Sequence, residues 1–87
     1  MRKIEWTTAF KRDFKKIGTF ESAFVEALWK LANDEALPER FCDHALIGEW
    51  KDFRDCHIRP DLILIYRKSD VNRLQLVRLG SHSELGL

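Results

Sequence analysis

The feature that most constrains the fold is a five-residue run, Leu62–Tyr66 (LILIY), apolar at odd and even positions alike. A strand with one wet face alternates polar and apolar side chains. A run apolar on both parities belongs to a central strand covered on both sides. A second run of the same kind, Leu74–Leu79, follows after the turn residues Ser69–Asn72. Upstream, Arg59-Pro60-Asp61 forms another turn, with proline suited to its early position. Before that turn, Glu49–Ile58 reads as a third strand of imperfect alternation. Trp50, Arg54, Cys56 and Ile58 share one parity; Lys51, Phe53, Asp55 and His57 share the other. Trp50 and Phe53 are expected in the core.

The first half supplies the covering layer. Arg2–Trp6 is short enough for one strand. Thr7 or Thr8 then offers a hydroxyl cap to a helix whose Phe10, Phe14 and Ile17 recur at helical spacing. Its opposite face carries Lys11, Arg12, Lys15 and Lys16, and Gly18 ends it. Thr19 is placed to cap a second helix with the apolar stripe Phe20, Ala23, Phe24, Ala27, Leu28 and Leu31. Asn33, Asp34 and Pro38 stop it. Gly80–Leu87 is a tail with room for one helical turn. The order β-α-α-β-β-β predicts an α+β fold: a small antiparallel sheet with a two-helix hairpin packed on one face. At 87 residues, with no repeat and no linker, residues 1–87 form a single domain.

Composition narrows the function classes. Fifteen cations against fourteen anions give a net charge of +1, far from the basicity of a protein that coats nucleic acid by charge alone. No apolar run approaches the about 18 residues of a membrane span. Cys42 and Cys56 form no CxxC pair, so both are expected as small core or edge residues in a reducing cytoplasm.

The candidate chemistry lies in the second half. His44, Lys51, His57 and Asp61 fall between Asp43 and Tyr66, and the third histidine, His82, arrives near the end. His44, His57 and Asp61 are ligand types that suit zinc or iron. Their intervals of thirteen and four residues match no zinc signature, so no metal or other cofactor is expected. Imidazoles titrate near neutral pH and serve as base or acid, and a carboxylate can fix a tautomer. Arg78 shares parity with Leu74 and Leu76, so its charge needs a partner. That partner is an acid, Asp55 or Asp61, or else a phosphate. Lys11, Arg12, Lys15 and Lys16 form a solvated helix face that becomes an RNA-contacting strip only if the catalytic reading holds.

The stretch DHALIGEWKDFRDCHIRPD, the strand LILIYR and the ending LVRLGSHSEL resemble the YafQ branch of the RelE/ParE superfamily of bacterial toxins from type II toxin–antitoxin systems. The resemblance is specific over roughly the second half of the chain and agrees with the first half in layout. It implies a RelE-like domain acting in the cytoplasm as a ribosome-dependent endoribonuclease that cuts messenger RNA without metal. It also implies an antitoxin partner of the DinJ or RelB kind, through which DNA is met only indirectly. The catalytic positions fall on His44, His57, Asp61 and His82, with Lys51 and Arg78 as phosphate contacts and Lys11, Arg12 and Lys15 as RNA contacts. Of the histidines, His82 is favoured as the acid. The pattern departs at Gly86, where the family commonly carries an aromatic residue four places after the last histidine. Two other readings stand beside it: a non-enzymatic ParE-like toxin of gyrase, and a catalytically impaired antitoxin-binding partner.

Overall fold

In the computed structural model, which describes residues 1–18 and 20–87, the doubly apolar run lies at the centre of a sheet. The elements in chain order are β1 (Lys3–Trp6), α1 (Thr8–Ile17), α2 (Ser22–Ala32), β2 (His44–Ala45), β3 (Arg54–Arg59), β4 (Leu62–Asp70), β5 (Arg73–Gly80) and α3 (His82–Leu85). Two 3-10 turns, Glu39–Phe41 and Gly48–Trp50, flank β2. The strands lie in the order β1-β5-β4-β3-β2, so β4 is indeed internal.

Four expectations need correction. The sheet is mixed, because β1 runs parallel to β5, Ile4 facing Leu74 and Trp6 facing Leu76. The helical hairpin carries the chain over one face, and β1 is left beside the last strand. That pairing joins opposite ends of the sequence and leaves no local signal. Next, the Asp43–Gly48 stretch is not only loop, since His44 and Ala45 form an edge strand against Asp55 and Arg54. Finally, β3 starts at Arg54 rather than Glu49, a 3-10 turn occupying Gly48–Trp50. β4 also runs on to Asp70, which narrows the second turn to Val71 and Asn72.

The helical hairpin forms as expected except at the start of α2, where Glu21 is the N-cap and Phe20 is left outside the helix and exposed. Thr7 Oγ1 accepts from the Phe10 N–H at 3.0 Å, and Gly18 closes α1 at φ 80°, a left-handed conformation that glycine adopts without penalty. The cap expected at Thr19 lies outside the described residues. Phe10, Phe24, Ala27 and Leu31 pack down onto Cys56, Leu64, Tyr66, Leu74, Leu76 and Leu79 from the sheet, forming the main core. Each large apolar side chain so buried contributes about 1.5–3 kcal/mol. Cys56 sits within this core, where burial pushes its thiol up; Cys42 is exposed. Among the described residues no helix is long and apolar enough to cross a membrane.

The opposite face of the sheet carries a smaller cluster, Ile63, Ile65 and Leu85, edged by Leu46, Trp50, Phe53 and Val77. Trp50 and Phe53 therefore do pack, edge to face at 5.5 Å, but half-buried and beneath this second face. That face holds the histidines.

Candidate active site

Strand alternation explains how the site is assembled. In β3, Cys56 and Ile58 point into the helix-side core, which turns Asp55 and His57 to the other face. His44 is the cross-strand partner of Asp55 in the β2–β3 pair, so its side chain stands beside that carboxylate. Asp61 sits in the Pro60–Asp61 turn that joins β3 to β4. His82 opens α3, which carries the chain from the end of β5 back over the same face and buries Leu85 there.

The three histidines, 38 residues apart at the extremes, thus meet in one cleft of about 540 Å³. The His57 ring lies 5.2 Å from that of His82 and 6.4 Å from that of His44. Leu46, Ile47, Glu49, Trp50, Asp55, Leu85, Gly86 and Leu87 complete the lining.

Two of the imidazoles are backed by carboxylates. His82 Nδ1 is 2.8 Å from Asp61 Oδ1, and the same oxygen accepts the His82 backbone N–H at 3.0 Å. These two donors, the backbone one first, hold the Asp61 carboxyl below its ordinary range. His44 Nδ1 lies between two acceptors, the Cys42 carbonyl oxygen at 2.7 Å and Asp55 Oδ1 at 3.0 Å. A nitrogen facing only acceptors carries the proton, so in the neutral ring Nε2 has the lone pair. The N–H is directed at the carbonyl, which leaves Asp55 Oδ1 buried without a hydrogen bond. His44 Nε2 is thus the ring position with a lone pair to offer a substrate proton.

From the sequence, Asp55 is a candidate only as a partner for Arg78. Its position two residues before His57 in a strand was the available signal. Only 2% exposed, its carboxyl is pushed up by burial, against the pull of His44, His57 and His82. A folded-state value raised above the unfolded one weakens stability when the group is ionised, and that loss disappears as pH falls through the folded value. Asp55→Asn is therefore expected to keep or raise the melting temperature at pH 7 while lowering activity about 10²-fold by removing the carboxylate that stands 3.0 Å from His44. Melts and rates on the same sample check it.

The cations are arranged differently. Arg78 is not partnered by Asp55 or Asp61. Its Nε donates to Asp13 Oδ2 at 2.6 Å and its Nη2 to Asp13 Oδ1 at 3.3 Å. The parity argument fails at a bulge: Tyr66 faces Leu76 and Ile65 faces Arg78, so Leu79 takes the next helix-side place. Arg78 instead lines a separate cleft with Ala9, Arg12, Asp13 and Lys16. Lys11 and Lys15 are exposed on α1 and do not line the histidine cleft. Lys51 is exposed as well and closes the turn that places Trp50 in the cleft wall. Among the described residues no group of three or more His, Cys, Asp or Glu side chains is arranged to hold a metal ion.

Known proteins resemble this chain in sequence and fold. The mRNA interferase toxin YafQ of Escherichia coli BL21 is 33% identical over 88 residues, covering 97% of this chain and 95% of the relative. A copper-bound mutant of a toxin from Helicobacter pylori superposes with a TM-score of 0.91 at 45% identity, over 98% of this chain and 99% of that one. The toxin in the E. coli DinJ–YafQ complex gives 0.80 at 34% identity, over 98% of both chains. The model of the bacterial toxin of type II toxin–antitoxin systems, YafQ, matches residues 2–86. With sequence and fold in agreement over essentially its whole length, the chain belongs to the YafQ family of type II toxins.

Proposed function

We propose that this toxin is an endoribonuclease that cuts messenger RNA on the ribosome by metal-independent acid–base chemistry, in the cytoplasm, and that a DinJ-like antitoxin silences it. The observation that carries the proposal is the meeting of His44, His57 and His82 in one cleft, two of them backed by carboxylates. Cutting RNA without a metal turns a ribose 2′-hydroxyl onto the adjacent phosphate. The step needs a base for the hydroxyl proton, an acid for the departing 5′-oxygen, and stabilisation of the charged phosphorane. His82 acts as the acid, held in place by Asp61 through its Nδ1 and its backbone N–H. The base comes from the His44–His57 pair. Lys51 supplies positive charge beside the cleft. Arg78, Arg12, Lys11 and Lys15 hold the RNA backbone along α1 instead of touching the reacting phosphate.

Expressing the chain alone is expected to arrest growth with messenger RNA cut in frame, and a co-expressed antitoxin is expected to relieve the arrest. Arrest with intact messenger RNA and inhibited gyrase supports the ParE-like reading in its place. No arrest by soluble protein supports an impaired binding partner.

Gly86 decides a smaller question. It caps α3 at φ 72° and lines the cleft, with nothing within 4 Å of the position a Cβ would occupy. A phenylalanine there has room but is strained by about 1–2 kcal/mol, which offsets most of the about 1–3 kcal/mol that stacking on a base supplies. Gly86→Phe is therefore expected to change cleavage less than about threefold. Leu87→Phe, in the neighbouring cleft position, carries no such strain and is expected to raise it about fivefold or more. Initial rates on one reporter message compare the two.

A further inference from the structure

We infer that Ser81 and Glu84 are positioning residues for His82, a reciprocal cap at the start of α3 that keeps its imidazole in the cleft; the inference rests on the nuclease reading above. α3 contains only four residues, His82–Leu85, and a helix so short has no stability of its own. Leu85 is its one buried side chain, set against Ile63 and Ile65. The remaining hold is polar. The Glu84 backbone N–H donates to Ser81 Oγ at 3.2 Å, and the Ser81 backbone N–H donates to Glu84 Oε1 at 2.8 Å. Two otherwise orphaned donors are thus satisfied by each other's side chains.

Gly80 makes this closure possible. A Cβ there would stand 3.1 Å from Glu84 Oε1 and 3.5 Å from Leu85 Cδ2, so the missing side chain lets α3 fold tightly over the end of β5. His82 is the first residue inside the cap. Its backbone N–H and its Nδ1 both meet Asp61 Oδ1, a double contact made with the helical turn formed. With one apolar anchor, the cap is a comparable part of what docks α3. Without it the tail frays, and His82 leaves its place 5.2 Å from His57.

The rival account of Glu84 is its charge, which lies near Lys16 and Arg78. Glutamine separates the two accounts, because a reciprocal cap accepts glutamine as readily as glutamate.

The test compares the parent with Ser81→Ala, Glu84→Ala, their double variant, Ser81→Thr and Glu84→Gln. Cleavage of a reporter message in a translation extract gives kcat and KM. NMR of the free protein gives amide-exchange protection at His82 and Leu85 and the protonation of His82 Nδ1. Each alanine variant is expected to lower kcat about 2- to 30-fold at unchanged KM, with the double variant lowest. Ser81→Thr and Glu84→Gln are expected within about twofold of the parent. Protection at His82 should fall with kcat while the global melt stays in place. The inference is overturned if the double variant keeps parental kcat and protection. It is also overturned if kcat falls while His82 stays protected, or if Glu84→Gln behaves like Glu84→Ala. A parent that cuts nothing, yet whose His82 protection the alanine pair removes, supports the cap and overturns the nuclease reading alone.

Discussion

His57→Ala and His82→Ala are each expected to lose about 10²–10⁴ in cleavage rate while remaining folded, the usual worth of a positioned acid or base. Neither ring is core. Both line the cleft, and His82 is held by polar contacts to Asp61. The double variant is expected to be little worse than the weaker single one, because members of one proton-transfer unit are not additive. Asp61→Ala should lose a similar factor, since it removes the acceptor of both His82 donors. Lys51→Ala and Arg78→Ala are expected to be milder and more sensitive to salt. A thermal melt of each variant separates lost chemistry from lost fold.

Asp13→Ala is expected to cost about 2–3 kcal/mol of stability, roughly 10–20 °C in melting temperature for a domain of this size. Asp13 is buried on α1 and accepts from the Arg78 guanidinium and, at 3.0 Å, from the Leu79 backbone N–H. β1 pairs with β5 only as far as Trp6 and Leu76. Beyond that point the edge of β5 has no strand beside it, and the Asp13 carboxylate takes the Leu79 donor a strand would have taken. Alanine leaves that N–H orphaned and the guanidinium unpaired.

The pH dependence has a definite sign. Burial acts to raise the Asp13 carboxyl, but the hydrogen bonds from Arg78 and Leu79 outweigh it and hold it below the ordinary value of 3.8. A depressed folded-state value gives stability that is complete above 3.8 and lost as pH falls through the folded value. Parent and variant melts should therefore differ most at pH 7 and converge in strong acid. Asp13→Asn, which can still accept from Leu79, should fall between them.

What was legible in the sequence was local. The α1 cap and stop, the first hairpin turn and most of the apolar stripes are patterns within a few residues and appear in the structure, while Phe20 falls outside α2 and the second turn is shorter than expected. The parallel β1–β5 pair joins residues 70 apart, and two-residue β2 is too short to leave a periodicity. Asp13 does carry a local signal. Three residues after Phe10 and one before Phe14, it lies on the buried stripe of α1, where a carboxylate needs partners. The bulge near Val77 shifts the register of β5 just before Arg78, and no residue type announces it. The histidines were legible as candidates, and the parity of His57 was right. Their meeting depends on a crossing at Gly80–Ser81 and an edge pairing at His44, both of which are tertiary.

The central claim is tested most directly by primer extension on messenger RNA in a translating extract supplied with the purified toxin. Magnesium is kept for the ribosome, and transition metals are removed with a selective chelator. The account predicts in-frame cuts that survive the chelator and fall at least about 10²-fold in His57→Ala/His82→Ala. Near-parental cutting by that folded double variant, or cuts that vanish with the chelator and return with added zinc or copper, would contradict it.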